Sequence, residues 1–308
     1  MARADYLTLG LLAGGAAVFA GWWASRSTTA ASGIYTFHMA SGAFDEAAGI
    51  PNVAVVVPPS FNPSSPLQIA VYFRGFSNCV ENVIRDADGK CIGGNATHHS
   101  SHLAAQFVAS GINGILVVPE LRREQATGDA GRFNRAGAFE TFLTELLSVH
   151  LAPHLGAKSL ADIGRVSIMS HSGGYTAVAA VLRGAGGPTG TLASKIVEVA
   201  LLDSLYGDSA TFSSWVGSNP ATLRPQANRR FLCVYTAAGG TANNATALAA
   251  SLRSRLGGSP VVCIDDTAAE PTPVALNSCG VLVTRSGLSH TDVSRRWPLL
   301  AWQSSPLR

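Results

Sequence analysis

Charged residues are scarce in this chain of 308 residues: they make up 13% of the sequence, and the net charge is +3. Lys and Arg form no block, so the chain lacks the basic stripe that a protein needs to neutralise a phosphate backbone. We therefore expect no nucleic-acid partner. Hydrophobic residues account for 47% of the chain, which is enough to bury the core of one large domain.

Cofactor and metal motifs are also missing. The sequence contains no GxGxxG, no P-loop and no CxxC pair, so nothing in it predicts a dinucleotide, a phosphate cradle or a structural metal. The cluster of His98, His99 and His102 has two adjacent histidines and no acidic ligand at a recognised spacing. A helix start near the rim of a pocket is the favoured interpretation of that cluster, and we expect neither metal nor cofactor.

The run from Tyr6 to Trp23 contains no charged residue and ends in a Trp pair of the kind found at membrane interfaces. The run is long for a signal peptide, and Thr28-Thr29-Ala30 is a poor cleavage site. We therefore favour an uncleaved transmembrane anchor over a cleaved signal. The predicted organisation is an anchor or signal segment at 1–24, a linker at 25–33 and one catalytic domain at 34–308.

The chain has five cysteines, a number that fits the export implied by the N-terminal run. Cys79 and Cys91 bracket a polar loop, and Cys263 and Cys279 bracket a Pro-rich one, so proximity predicts these two disulfides. Cys233 lies in an apolar run and is expected to be a free thiol in the core. Reduced cysteines in a cytosolic protein are the alternative.

Strand and helix patterns alternate along most of the chain. Two β-rich runs come first, and the predicted strands then continue at 68–73, 114–119, 165–170, 196–202, 230–236, 260–264 and 281–284. Helices are predicted at 100–109, 136–151, 173–182, 243–256 and 292–302, the last kinked or restarted near Pro298. This alternation is typical of a mostly parallel central sheet with helices on both faces.

An apolar strand pattern stops at a serine flanked by small residues in the segment Val166-Ser167-Ile168-Met169-Ser170-His171-Ser172-Gly173-Gly174. A helix pattern follows. Strand, serine and helix in that order are the context of a nucleophile elbow, whose usual signature is Gly-x-Ser-x-Gly. Here Ser170 replaces the first glycine. Ser172 is the candidate nucleophile, and a Gly-rich strand-to-helix turn without chemistry is the alternative.

The elbow, the antiparallel-looking first strands and the parallel core together resemble the α/β-hydrolase superfamily over roughly residues 34 to 302. The segment PPSFNPSSPLQIAVYFRGFSN is similar to the esterase branch that includes feruloyl esterases and polyhydroxybutyrate depolymerases, where a Pro-rich loop leads into a strand and a His-Gly pair. In this chain the pair is Arg74-Gly75. The resemblance implies an α/β-hydrolase fold, preceded here by the N-terminal transmembrane or signal helix.

The resemblance also implies a triad in the chain order serine, acid, histidine. His290 follows the late strands and precedes the last helix, where the superfamily places its base; a surface loop histidine is the alternative. Asp203 directly follows a strand, at the sheet edge that Ser172 also reaches. Asp265 and Asp266 follow a later strand and are the reserve acids. His171 is expected to pack beneath the elbow, because successive strand residues point to opposite faces.

The oxyanion hole is expected to use the backbone N–H groups of Gly173, after the nucleophile, and of Phe76, in the turn after the third strand. Arg74 either orients this turn or simply pairs with a carboxylate. The expected activity is hydrolysis of small-molecule or polymeric carboxylic esters, outside the cytoplasmic membrane. The alternatives are a peptidase, amidase or acyltransferase with the same triad, or an inactive hydrolase-fold module that serves as an envelope binding protein.

Overall fold

The computed structural model describes residues 32–126, 128–184, 191–223, 229–238, 240–256, 262–265, 267–268, 270 and 272–308. The predicted anchor and the linker up to residue 31 lie outside these ranges, so the predicted domain boundaries stay predictions. Within the described part of the chain, no helix has the length and apolar character that crossing a membrane requires.

Nine strands form one sheet in the order β1-β2-β6-β3-β7-β8-β9-β11-β10, and two short strands, β4 and β5, pair separately. The strands are β1 Gly33–Phe37, β2 Val53–Val57, β3 Leu67–Phe73, β4 Gly89–Lys90, β5 Thr97–His98, β6 Gly114–Pro119, β7 Ile163–His171, β8 Ile196–Leu202, β9 Arg230–Thr236, β10 Val262–Asp265 and β11 Val281–Ser286. In the large sheet β1 and β2 run antiparallel to their neighbours, and all other pairs are parallel.

Helices cover both faces of the sheet because its central strands are apolar on both sides. The helices are α1 Val80–Val83, α2 Leu103–Ser110, α3 Ala138–Glu145, α4 Ala152–Leu155, α5 Tyr175–Gly184, α6 Ser209–Ser218, α7 Ala242–Leu256, α8 Pro273–Asn277 and α9 His290–Gln303. Helices α3 to α7 contribute to the apolar core on one face, and α1, α2, α8 and α9 to the core on the other. The mostly parallel sheet covered on both faces is confirmed.

Several predicted element boundaries need correction. A π-helical turn at Leu146–His150 follows α3 in the segment predicted as one helix, and α6 was not predicted. Helix α9 begins at His290 and runs through Pro298 as a single element. The Leu299 N–H, next to that proline, donates a hydrogen bond to the Gln106 side chain of α2 (2.9 Å), which provides an acceptor where the proline disturbs the helical pattern.

Both predicted disulfides are present. Cys79 and Cys91 are joined with their Cα atoms 5.9 Å apart, and Cys263 and Cys279 with theirs 5.8 Å apart. Cys233 is buried on β9 as a free thiol, as predicted, and burial raises its pKa to about 12. The first bridge closes a loop next to the turn after β3, and the second ties β10 to the segment that leads into β11.

Candidate active site

Ser172 lies at the sharp turn between β7 and α5. Its φ of +53° is in the left-handed region, which a non-glycine residue rarely adopts. The neighbouring backbone explains the small residues around it: a Cβ at Gly75 would lie 2.6 Å from the Ser172 Cβ, and one at Gly174 would lie 2.5 Å from the Phe73 carbonyl oxygen. The local structure is the strained strand-to-helix turn that the sequence predicts.

Ser170 has a role that a glycine at the same position lacks. Its hydroxyl lies 2.8 Å from the Ser204 hydroxyl, which in turn donates to the carbonyl oxygen of Ser172 at 2.6 Å. Ser170 and Ser204 are both fully buried, so these bonds are shielded from water. The two hydroxyls therefore tie the turn at Ser172 to the segment that follows β8.

The Asp203 side chain accepts a hydrogen bond from His290 Nδ1 at 2.6 Å. Asp203 follows β8 and is fully buried, and His290 is the first residue of α9, with Ser289 as its N-cap. Asp203 also accepts hydrogen bonds from the Thr236 N–H (3.0 Å), the Thr236 hydroxyl (2.7 Å) and the Thr241 hydroxyl. Burial raises the pKa of Asp203, but the bonds from His290 and the two threonines outweigh it and hold the pKa at about 2. The carboxylate is thus ionised and aimed at the His290 ring.

Asp265, one of the two reserve acids, does not share this arrangement. The Asp265 side chain accepts from the N–H and the hydroxyl of Thr267, at 3.0 and 2.7 Å. Asp265 ends β10, at the edge of the sheet, whereas β8 lies next to β7 in its centre. Asp266 lies outside the described residues. Asp203 is therefore the acid that the structure places against His290.

His171, which the sequence predicts to pack beneath the elbow, lies beside His290. The two rings are 4.5 Å apart, and His171 Nε2 lies 2.8 Å from the carbonyl oxygen of His290. Burial and the proximity of His290 lower the pKa of His171 to about 4, against the opposing effects of that carbonyl and of Asp203. The ring is neutral at ordinary pH, and because its partner is a carbonyl, Nε2 is the nitrogen that donates.

The turn after β3 contacts the elbow through Gly75 and Phe76. The Phe76 ring lies over Gly173, where an added Cβ would meet it at 2.0 Å, and the Phe76 N–H makes no hydrogen bond to another described residue. Its peptide is held from the other side, since Arg74 Nη1 donates to the Gly75 carbonyl oxygen at 2.7 Å. A trans peptide directs its C=O and N–H in opposite directions, so this bond also orients the Phe76 N–H.

Both interpretations of Arg74 hold. The side chain is buried, forms an ion pair with the equally buried Glu120, and donates to the Arg122 carbonyl oxygen at 2.7 Å. Glu120 in turn accepts from the Val80 N–H at 2.9 Å. Arg74 therefore pairs with a carboxylate and, through the same guanidinium, fixes the turn that carries Phe76.

Comparison with solved structures yields a feruloyl esterase module from Clostridium thermocellum, a mutant complexed with sinapinate, at a TM-score of 0.51 and 10% identity over 91% of this chain and 88% of that chain. The fold is that of an α/β-hydrolase. Acyl-protein thioesterase 2 from Zea mays (TM-score 0.42, 11% identity, 83% of this chain and 99% of that chain) and a thermophilic carboxylesterase cloned from a metagenomic library (TM-score 0.41, 12% identity, 83% of each chain) are also similar. No protein-family model and no curated protein matches the sequence.

The three histidines of the cluster contact different partners. His98 Nε2 lies 2.9 Å from Glu124, His99 Nδ1 lies 2.8 Å from Asp88, and His102 immediately precedes α2, as expected for a helix start. Two groups of three potential metal ligands occur among the described residues, and both include Cys91, whose sulfur is bonded to Cys79. Neither group retains three ligands for a metal.

Four residues around this site were not predicted from the sequence. Three support others: Thr236 and Thr241 bind Asp203, and Ser204 holds the elbow carbonyl. The fourth, Tyr206, follows Asp203 by three positions and has its ring 6.4 Å from the His290 ring. The available signal was the polar stretch Asp203-Ser204-Leu205-Tyr206 directly after a buried strand, at the edge where ligands bind in open α/β sheets.

Proposed function

We propose that the protein is a serine hydrolase that cleaves carboxylic esters through Ser172, His290 and Asp203. One observation carries the proposal: the buried Asp203 holds the His290 ring at 2.6 Å, at the same edge of the sheet where the strained turn presents Ser172. Ester rather than amide substrates are supported by the feruloyl esterase module that shares the fold. The substrate is a small-molecule or polymeric ester.

In the proposed reaction, Ser172 Oγ attacks the ester carbonyl carbon while its proton passes to His290 Nε2. The N–H groups of Gly173 and Phe76 stabilise the resulting oxyanion. When the ester C–O bond breaks, His290 returns the proton to the leaving oxygen and an acyl-enzyme remains. Water then repeats the sequence with the same base and releases the acid. Asp203, with a pKa of about 2, stays ionised and stabilises the imidazolium.

A fluorophosphonate probe tests the nucleophile. We expect the probe to modify Ser172, because an adjacent base is needed to activate a serine hydroxyl. Labelling should be lost in Ser172→Ala and kept in Ser194→Ala, a matched change at an exposed serine. Labelling that survives Ser172→Ala would contradict the proposal and favour an inactive hydrolase-fold binding module.

Rates on p-nitrophenyl esters of several chain lengths, compared with the matched anilides, test the substrate class. We expect the esters to be hydrolysed and the anilides to be turned over much more slowly. Anilide rates equal to the ester rates would favour a peptidase or amidase, and acyl transfer to an added alcohol in preference to water would favour an acyltransferase.

We further propose that residues 1–24 anchor the protein and that residues 25–33 link this anchor to a catalytic domain outside the cytoplasmic membrane. The uncharged run from Tyr6 to Trp23 and the two disulfides support this location. Protein that starts at Ser32 should be soluble and active, whereas the full chain should partition with membranes. A mature N-terminus found after Ala30 would show that the segment is a cleaved signal and that the protein is secreted.

A further inference from the structure

Tyr206 lies where the proposed reaction takes place. It follows Asp203 after β8, and its ring stands edge-on to the His290 ring, with centroids 6.4 Å apart and planes at 78°. The ring also lies 6.2 Å from that of Tyr175, the first residue of α5. The residue is 39% exposed, so its ring is accessible from solvent.

The Tyr206 phenol interacts with the Ser172 side chain. Burial and the charge of Asp203 raise the pKa of Tyr206, and the interaction with Ser172 opposes them without reversing the shift. The phenol is therefore protonated at any pH at which an ester would be assayed, and it has a proton to donate. It is suited to hydrogen bonding and not to acting as a base.

The order of the strands determines which side of Ser172 the phenol occupies. β7, which ends at the nucleophile, lies between β3 and β8. The proposed oxyanion donor Phe76 follows β3, whereas Asp203 and Tyr206 follow β8, and His290 is bonded to Asp203. Tyr206 is thus on the side of the base and opposite the turn that carries Phe76. His290 must reach the leaving oxygen to protonate it, so the leaving oxygen lies on this side as well.

We propose that Tyr206 is a further catalytic residue, whose hydroxyl donates a hydrogen bond to the leaving-group oxygen as the ester C–O bond breaks. The proposal rests on the proposed ester hydrolysis. The bond electrons pass to the leaving oxygen, His290 transfers to it the proton that it took from Ser172, and Tyr206 keeps its own proton. The phenol lowers the charge that accumulates on the oxygen before protonation is complete. In deacylation the same hydroxyl binds the attacking water beside His290.

The test is the dependence of kcat/KM on the leaving group in Tyr206→Phe, which keeps the ring and removes the hydroxyl. The substrates are acetate esters that range from p-nitrophenyl acetate to ethyl acetate. The missing hydrogen bond matters most for a substrate whose leaving oxygen develops a strong negative charge, as the ethoxide oxygen does. We therefore expect kcat/KM for ethyl acetate to fall about tenfold to a hundredfold and that for p-nitrophenyl acetate to change less than about twofold. The control variant Tyr175→Phe removes the hydroxyl from the other ring of this pair. Its kcat/KM should depend on the leaving group as that of the wild type does.

Other outcomes overturn the proposal. An equal fall over the whole series would indicate a structural role or an oxyanion role for Tyr206, and an unchanged series would indicate no role. Labelling by the fluorophosphonate, which expels fluoride, separates this proposal from the proposed function: wild type and Tyr206→Phe should react at similar rates. A wild-type protein that neither reacts with the probe nor hydrolyses any ester would refute the proposed function. If the wild type is labelled and active, but Tyr206→Phe shows the same dependence of kcat/KM on the leaving group, only the role of Tyr206 is refuted.

Discussion

At the scale of single residues, the contacts of Asp203 determine how the His290 ring is oriented. Its φ is +46°, its side chain has no exposure to solvent, and four hydrogen bonds reach its two carboxylate oxygens. Three of these bonds come from Thr236 and Thr241, so the carboxylate is fixed independently of the histidine. The orientation of the His290 ring therefore depends on an acid that has little freedom to move.

Replacing Asp203 with Asn should lower turnover by about 10⁴ without unfolding the protein, because the amide favours the wrong tautomer of His290 and carries no charge to stabilise the imidazolium. The measurement is kcat on a p-nitrophenyl ester, with circular dichroism to verify folding. Asp265→Asn is the control and should keep most of the activity. Near-normal turnover of Asp203→Asn would show that another group acts as the acid.

His171 should make the stability of the protein depend on pH. Its pKa is lowered from the ordinary 6.5 to about 4, so between these values the unfolded chain binds a proton that the folded protein does not. The free energy of unfolding must therefore fall as pH decreases through this window, by about 2 kcal/mol between pH 7 and pH 5 from this group. Urea unfolding at both pH values measures it.

His171→Gln retains a side-chain donor and removes the titration, so the variant should lose about 2 kcal/mol less than the wild type over that interval. His38→Gln, a change at an exposed histidine, should behave like the wild type. Equal pH dependence of wild type and His171→Gln would mean that the ring is protonated in the folded protein and would contradict its role as a neutral donor to the His290 carbonyl.

At the scale of elements, the site depends on three strand ends and on the turns that follow them. β3, β7 and β8 are adjacent and parallel, so their carboxyl ends meet at one edge. Two buried connections fix the turns to one another: the Ser170–Ser204 hydroxyl pair joins the elbow to the segment after β8, and the Arg74–Glu120 pair joins the turn after β3 to the end of β6. Each connection acts on a backbone carbonyl, that of Ser172 or that of Gly75.

Arg74→Lys should lower kcat by about tenfold or more while KM changes little, because a single ammonium cannot bind Glu120 and the Gly75 carbonyl with the geometry of a guanidinium. Arg132→Lys alters an arginine that pairs with Asp45 at 2.5 Å, away from the turn, and is the matched control. Steady-state kinetics and a thermal melt are measured for both variants. A rise in KM with unchanged kcat, or a loss of stability alone, would show that Arg74 does not orient the oxyanion donor.

At the scale of the whole molecule, two apolar cores on opposite faces of the sheet support the site, and two disulfides secure loops outside them. The two bridges span 12 and 16 residues of sequence. Loops of this length give a stabilisation of about 3 kcal/mol per bridge. Cys233 takes no part, since it is buried in the core with a raised pKa.

The non-reduced protein should therefore yield cross-linked Cys79–Cys91 and Cys263–Cys279 peptides by mass spectrometry, and iodoacetamide should modify Cys233 only after unfolding. Reduction should lower the midpoint of urea unfolding. The Cys233→Ser variant should give the same two cross-linked peptides. Modification of Cys79, Cys91, Cys263 and Cys279 in the native protein would indicate a reducing compartment and would contradict the proposed location.

The sequence alone determined the type of element at most positions, because buried strands and crossover helices have different hydrophobic periods and the chain keeps them distinct. It also placed Ser172, Asp203 and His290 at strand or helix ends, since small or polar residues stand out directly after apolar runs such as Val197 to Leu202. The triad itself was then expected from the chain order of the superfamily.

Only the tertiary structure decided which of these ends meet. The positions of His171, Ser204 and Tyr206 relative to His290 depend on the order β3-β7-β8-β9 and on where α9 begins, and neither follows from a local pattern. The structure also distinguishes Asp203 from Asp265: both follow apolar strands in the sequence, but of the two it is Asp203 that lies against the histidine. Contacts between residues such as Tyr206 and His290 depend on packing across the whole sheet, and hydrophobic periodicity carries no information about them.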